Sequence, residues 1–187
     1  LVTGVQTCAL PISINSTLVF SNIALRKGDK AGLITYADKI GTTISAERSG
    51  DQMRRIQEAL YNQKSLFNES DFELLYNTIR RVIKTRSLLV LFTNFETVFA
   101  MRRALPMLRR LNQKHALVVV FFQNTELQQL AYQPVQNSQE MYQAIVAEKM
   151  ISVKSSIARE LNQNGINTIL SLPEELSVNT INKYLEL

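Results

Sequence analysis

This sequence predicts a three-layer α/β/α fold on a mostly parallel sheet. Two observations carry that expectation. Three short runs, 87–92, 116–122 and 166–170, are dominated by apolar residues without strict alternation, as in strands buried on both faces. Segments with helical spacing of apolar residues stand between them, and such alternation closes into a parallel sheet through right-handed crossovers. Sheets of this kind bind ligands at the carboxyl ends of their strands, near a switch in strand order.

Residues 1–12, LVTGVQTCALPI, carry no charge and no helical periodicity. Read as native, they would form a short strand. They lack the cationic start of a signal peptide and closely resemble the in-frame translation of a sequencing-library adaptor. They are therefore expected to be a non-native segment outside the fold. The expected domain is single, spans 13–187 and is truncated at its N-terminus, because it opens inside a helical pattern.

That first helix carries Leu18, Ile23 and Leu25 and stops at Arg26-Lys27-Gly28, basic residues followed by glycine. Strands at 31–36 and 41–46, the second rich in β-branched residues, read as a hairpin-like pair. A helix over 51–61 places Met53, Ile56 and Leu60 on one face. The next helix, 71–84, has Ser70 or Asp71 as N-cap and Leu74, Leu75, Ile79 and Val82 as its core stripe. After the strand at 87–92, a helix over 96–112 turns Val98, Met101, Leu105, Leu108 and Leu111 inward, with Pro106 a place for a kink. Beyond the strand at 116–122, the polar stretch 123–139 reads as a loop with room for one short helical turn. A long helix over 138–164 follows, with Val146, Met150, Val153, Ile157 and Leu161 on its stripe and Asn164-Gly165 at its end. The strand at 166–170 is broken by Pro173, and 177–187 begins a last helix.

Composition excludes several classes of function. The 187 residues are 45% hydrophobic and 20% charged, an ordinary globular balance. Lys and Arg number 21 against 16 Asp and Glu, a net charge of +5. That is mildly basic, with no aromatic–basic interleaving, and argues against nucleic acid as a partner. The longest apolar runs fall well short of the roughly 18 residues that cross a bilayer, so this chain is not expected to insert into a membrane. One Cys and one His exclude an internal disulfide and a Cys/His zinc cluster. His115 has no Gly-x-Ser-x-Gly partner motif and reads as a strand-end or capping histidine. Asp38 reads as a turn residue. A Rossmann-like nucleotide- or small-molecule-binding enzyme is the alternative function, but no glycine-rich turn follows a strand.

Three stretches carry a family resemblance. RKGDKAGLITYADKI, at 26–40, resembles the second strand of a von Willebrand factor A-type domain, where a Gly-Asp turn leads into a Gly-Leu-apolar-Thr-aromatic strand. SLLVLFTNFE, at 87–96, resembles a later strand of that fold, which usually ends in Thr-Asp. HALVVVFF at 115–122 and LSVNTINKYLEL at 176–187 resemble its bacterial branch, the domain of unknown function 58 family, often found beside MoxR-type AAA+ ATPases. The resemblance covers nearly all of 14–187. It implies a Rossmann-like sandwich with strand order 3-2-1-4-5-6, whose native central first strand would precede residue 14 and is missing here. A chain lacking that strand is expected to be unstable.

The resemblance also implies a Mg²⁺ site at the carboxyl ends of the strands, built from an Asp-x-Ser-x-Ser loop, a Thr and an Asp. Carried over, the first loop would lie before residue 14. The Thr position falls near Ser70, and the Asp position falls on Asn94, a neutral oxygen where the family has a charge. Glu96 could compensate if it turned inward. The expectation is a degenerate site at Ser70 and Asn94, no cofactor in this fragment, and Mg²⁺ possible in the intact parent. The implied function is a non-enzymatic protein–protein interaction module. Its implied partner is a MoxR-type AAA+ ATPase, and it would be a cytoplasmic domain of a parent anchored in the bacterial inner membrane. Candidate partner contacts are Asp71, Glu96, Arg102 and Arg109. Arg102, Arg103, Arg109 and Arg110 repeat at seven residues and are expected on one solvated helix face.

Overall fold

The computed structural model describes residues 2–4, 10–61, 70–135, 137–172, 178–179 and 182. The chain runs β1 (Val2–Gly4), α1 (Leu10–Arg26), β2 (Ala31–Tyr36), β3 (Ile40–Glu47), α2 (Gln52–Tyr61), α3 (Phe72–Val82), β4 (Leu88–Phe92), α4 (Val98–Lys114), β5 (Ala116–Phe122), α5 (Thr125–Tyr132), α6 (Ser138–Gln163) and β6 (Asn167–Ser171). The strands form one sheet in the order β3-β2-β1-β4-β5-β6. All neighbours are parallel except β3, which folds back on β2.

Side chains along β4 and β5 alternate between two apolar layers. Leu89, Leu91, Leu117, Val119 and Phe121 meet Leu75 and Ile79 of α3, Met101 and Leu108 of α4, and Ile157 and Leu161 of α6. Val90, Phe92, Val118, Val120 and Phe122 meet Phe20 of α1 on the other face. Strands enclosed in this way cannot afford a polar alternation, which is why their sequences read as continuous apolar runs.

Three sequence-based expectations need correction, at α1, at 123–139 and at α6. Of the opening segment, residues 2–4 and 10–12 are described. Val2–Gly4 occupy the central place in the sheet, with Thr3 opposite both Thr35 and Phe92, and α1 begins at Leu10. The physical reason is that β2 and β4 each present backbone donors and acceptors there, which an extended segment can satisfy through its backbone alone.

The buried face of α1 is not the Leu18/Ile23/Leu25 stripe. Ser13, Ser16, Thr17, Phe20, Ser21 and Ala24 are buried, and Leu18, Ile23 and Leu25 are only half-buried. Small side chains let this helix lie close to the sheet.

The stretch 123–139 contains a two-turn helix, α5, capped by Asn124, whose Oδ1 accepts from the backbone N–H groups of Glu126 and Leu127.

In α6 the expected stripe holds only toward the C-terminus. Ile157 and Leu161 are buried, whereas Val146 and Met150 are exposed and Ala144 and Ala147 are buried in their stead. A 26-residue helix is ~39 Å long, more than twice the length of the five-residue strand β6, and α6 packs on α5 as well as on β6 and α4. The last predicted helix falls largely outside the described residues, of which Val178, Asn179 and Asn182 are helical.

The β2–β3 edge is held by a buried glutamine. Gln52, at the start of α2, donates from Nε2 to Ala31 O at 2.6 Å and to Ser45 O at 2.8 Å. The register shifts between Ala31 and Leu33, and a Cβ on Gly32 would stand 2.8 Å from both Ala46 N and Ile44 O. Only glycine fits that close approach.

Candidate rim at the carboxyl ends of the strands

The rim begins where β2 ends. Ala37 O accepts from the Asp71 N–H at 3.0 Å, which ties the start of α3 to the end of β2. Asp71 then caps α3, its Oδ1 accepting from the N–H groups of Glu73 and Leu74 at 2.9 Å each. The next residue, Phe72, meets Tyr36 edge-on at 5.9 Å and stacks on Phe95 at 5.2 Å. Phe95 continues to Phe121 at 5.7 Å. Ser70 precedes the Asp71 cap, and Asn94 precedes Phe95 after the end of β4.

Two polar groups lie beneath the rim. The Tyr36 hydroxyl is buried and makes no hydrogen bond among the described residues. Burial pushes its pKa up, and the Thr93 side chain acts in the opposite direction. Thr93 itself donates its N–H to Val120 O at 3.1 Å, continuing the β4–β5 ladder past the strand end.

Asn94 is already engaged. Its Oδ1 accepts from Lys154 Nζ at 2.7 Å, and the same ammonium donates to Phe122 O, at the end of β5, at 3.0 Å. Burial holds the Lys154 pKa below the usual lysine range, and the charge of Glu96 offsets part of that effect. Lys154 also lines a hollow between α5 and α6 with Gln123, Leu127, Met150 and Leu170.

Lys154 was not among the residues singled out from sequence. A signal existed: it stands four residues after Met150 and three before Ile157, so a lysine falls beside the predicted apolar stripe.

Mg²⁺ requires near-octahedral hard oxygen ligands. Here the Asn94 amide oxygen carries an ammonium and no formal charge of its own. Glu96 is exposed rather than turned inward, so it does not compensate. These residues do not fit the ion.

The other candidates separate. Asp71 holds a helix end. Arg102 grips Glu160 of α6 with two hydrogen bonds, Nε to Oε1 at 2.8 Å and Nη2 to Oε2 at 3.2 Å. Arg110 lies over the Tyr76 ring of α3 at 5.9 Å. All four arginines of α4 are exposed, as expected of a solvated face; α4 packs between α3 and α6, with Arg102 reaching toward α6 and Arg110 toward α3. Arg109 is exposed. His115 is the C-cap of α4, with its N–H on Leu111 O at 2.9 Å and its Nδ1 buried without a partner among the described residues. No described helix is long and apolar enough to cross a membrane.

Residues 8–164 match a protein family described as "Protein of unknown function DUF58". No curated protein matches the sequence. Among solved structures, proximal thread matrix protein 1 from the mussel byssus is similar at 12% identity and a TM-score of 0.48. The similarity covers 94% of this chain and 41% of that one, so this chain spans well under half of the mussel protein's length.

Proposed function

We propose, on the premise that this chain belongs to the DUF58 family of proteins of unknown function, that it is a non-enzymatic protein-docking module. The observation that carries this reading is an apolar stripe on α6. Tyr142, Val146 and Met150 repeat every four residues, one helix face, and are 70%, 39% and 49% exposed. Ile145 borders them at 58%. Large contiguous apolar surfaces on a folded domain mark places where another macromolecule binds.

The partner in this proposal is a MoxR-type AAA+ ATPase. The domain would be cytoplasmic, in a bacterial parent anchored in the inner membrane and acting in assembly or envelope maintenance. The von Willebrand factor A-like reading is supported by the motifs at 26–40 and 87–96 and by the strand order 3-2-1-4-5-6. The small net charge of +5 supports a protein partner over nucleic acid.

The test is calorimetric titration of the chain with a purified MoxR-type ATPase, alongside a Val146→Asp/Met150→Asp variant. Saturable binding is expected, weakened by at least about tenfold in a variant that still melts cooperatively. Absence of saturable binding by the unaltered chain would refute the partnership. Equal binding by the variant would move the docking surface away from α6.

A further inference from the structure

We infer that the Lys154 ammonium is the resident cation of this rim: it holds Asn94 and the end of β5 together, and the rim acts without a divalent metal ion. Two of the three ammonium N–H groups are committed, to Asn94 Oδ1 at 2.7 Å and Phe122 O at 3.0 Å. These acceptors lie on different strands, at the ends of β4 and β5. One side chain from α6 therefore ties two strand ends to the covering helix.

A magnesium ion on the same Asn94 oxygen would stand no more than about 5 Å from the Lys154 nitrogen, given its short bonds to oxygen. Two cations at that separation, in a partly buried place, repel. Withdrawing the lysine to make room would strip Asn94 Oδ1 and Phe122 O of their donor. An exposed lysine could swing aside at little cost. Lys154 is half-buried, with its stem against the hollow beside Met150, Ile151 and Leu170. Glu96, the carboxylate whose charge reaches Lys154, makes no ion pair with it among the described residues, so the pairing with Asn94 is not a by-product of a salt bridge.

This inference stands whether or not α6 docks a partner, and its test uses the chain alone. The isotope-labelled full chain is titrated with MgCl₂ at millimolar concentrations and separately with MnCl₂, while the amide signals of Thr93, Asn94 and Glu96 are followed. The expected result is no saturable shift with Mg²⁺, and no more broadening by Mn²⁺ than at the exposed carboxylates Asp51 and Glu58. A saturable Mg²⁺ response centred on Asn94 would overturn the inference. In Lys154→Met the side-chain amide signals of Asn94 should move and exchange faster with solvent; unchanged Asn94 signals would equally overturn it. The metal titration needs no substitution, so it decides the matter even if Lys154→Met does not fold.

Discussion

The ring of Phe72 lies stacked on that of Phe95, with centroids 5.2 Å apart and planes inclined by 25°. Phe72 follows the N-cap of α3 and Phe95 follows Asn94, so this one contact brings the start of α3 and the segment after β4 together. Phe72→Ala should cost about 2 kcal/mol, below the range for a fully buried ring because Phe72 is half-buried. Urea denaturation measures the loss, and the amide shifts of Asn94 should move with it. An Asn94 signal unaffected by Phe72→Ala would show that the stack does not position the rim.

Gln52→Leu should be among the most damaging substitutions outside the apolar layers. It removes two donors and leaves the carbonyls of Ala31 and Ser45 without them, a loss of about 2–3 kcal/mol. Gly32→Ala acts on the same edge through sterics, since the colliding atoms belong to the backbone of Ile44 and Ala46 and cannot swing away. Its cost should be about 1–3 kcal/mol. Chemical denaturation of each variant measures both, and a change within error for Gly32→Ala would contradict the bulge geometry.

Asp71 and Arg102 are both charged residues on the surface, yet their substitutions should differ. Asp71→Ala deprives two N–H groups at the start of α3 of their acceptor and should cost about 1 kcal/mol. Arg102→Ala breaks a two-point ion pair whose arginine is mostly exposed, where water screens the attraction, and should cost less than Asp71→Ala. Thermal melts in low and high salt distinguish them: added salt should shrink the Arg102 effect and leave most of the Asp71 effect.

His115 makes stability depend on pH. Burial first, and the neighbouring Lys114 charge second, hold its pKa below the usual 6.5. The unfolded chain therefore takes up a proton before the folded one does. Its contribution is fully present above pH 6.5 and declines as the pH falls from there toward the lowered folded value. His115→Gln should flatten the stability profile in that window, read by urea midpoints at several pH values. An unchanged slope would assign the acid sensitivity to other groups.

Apart from α5, the order of helices and strands from Ala31 to Ser171 was legible because amphipathic spacing is a local property. The runs at 116–122 and 31–36 read as strands from their apolar content, and Asp71 was one of two N-cap candidates from its place before a helical stripe. The inward face of α4 was legible for the same reason: Met101, Leu108 and Leu111 are buried and Val98 and Leu105 pack against them. Where the reading failed, the deciding neighbours were remote. The exposure of Val146 and Met150 follows from the length of α6 relative to the sheet, and the burial of serines in α1 follows from what lies beneath it.

Chain order, the strand and helix periodicities and the capping residues are written in stretches of ten or so residues, because each depends only on which way successive side chains point. The central position of Val2–Gly4, the contacts of Arg102 with α6 and Arg110 with α3, and the bond between Lys154 and Asn94 across 60 residues belong to the folded molecule alone. Each is a pairing between groups that become neighbours only after the sheet has brought its strand ends together. No local pattern records such a pairing, because its energy depends on distance in space and on burial, neither of which exists in the unfolded chain.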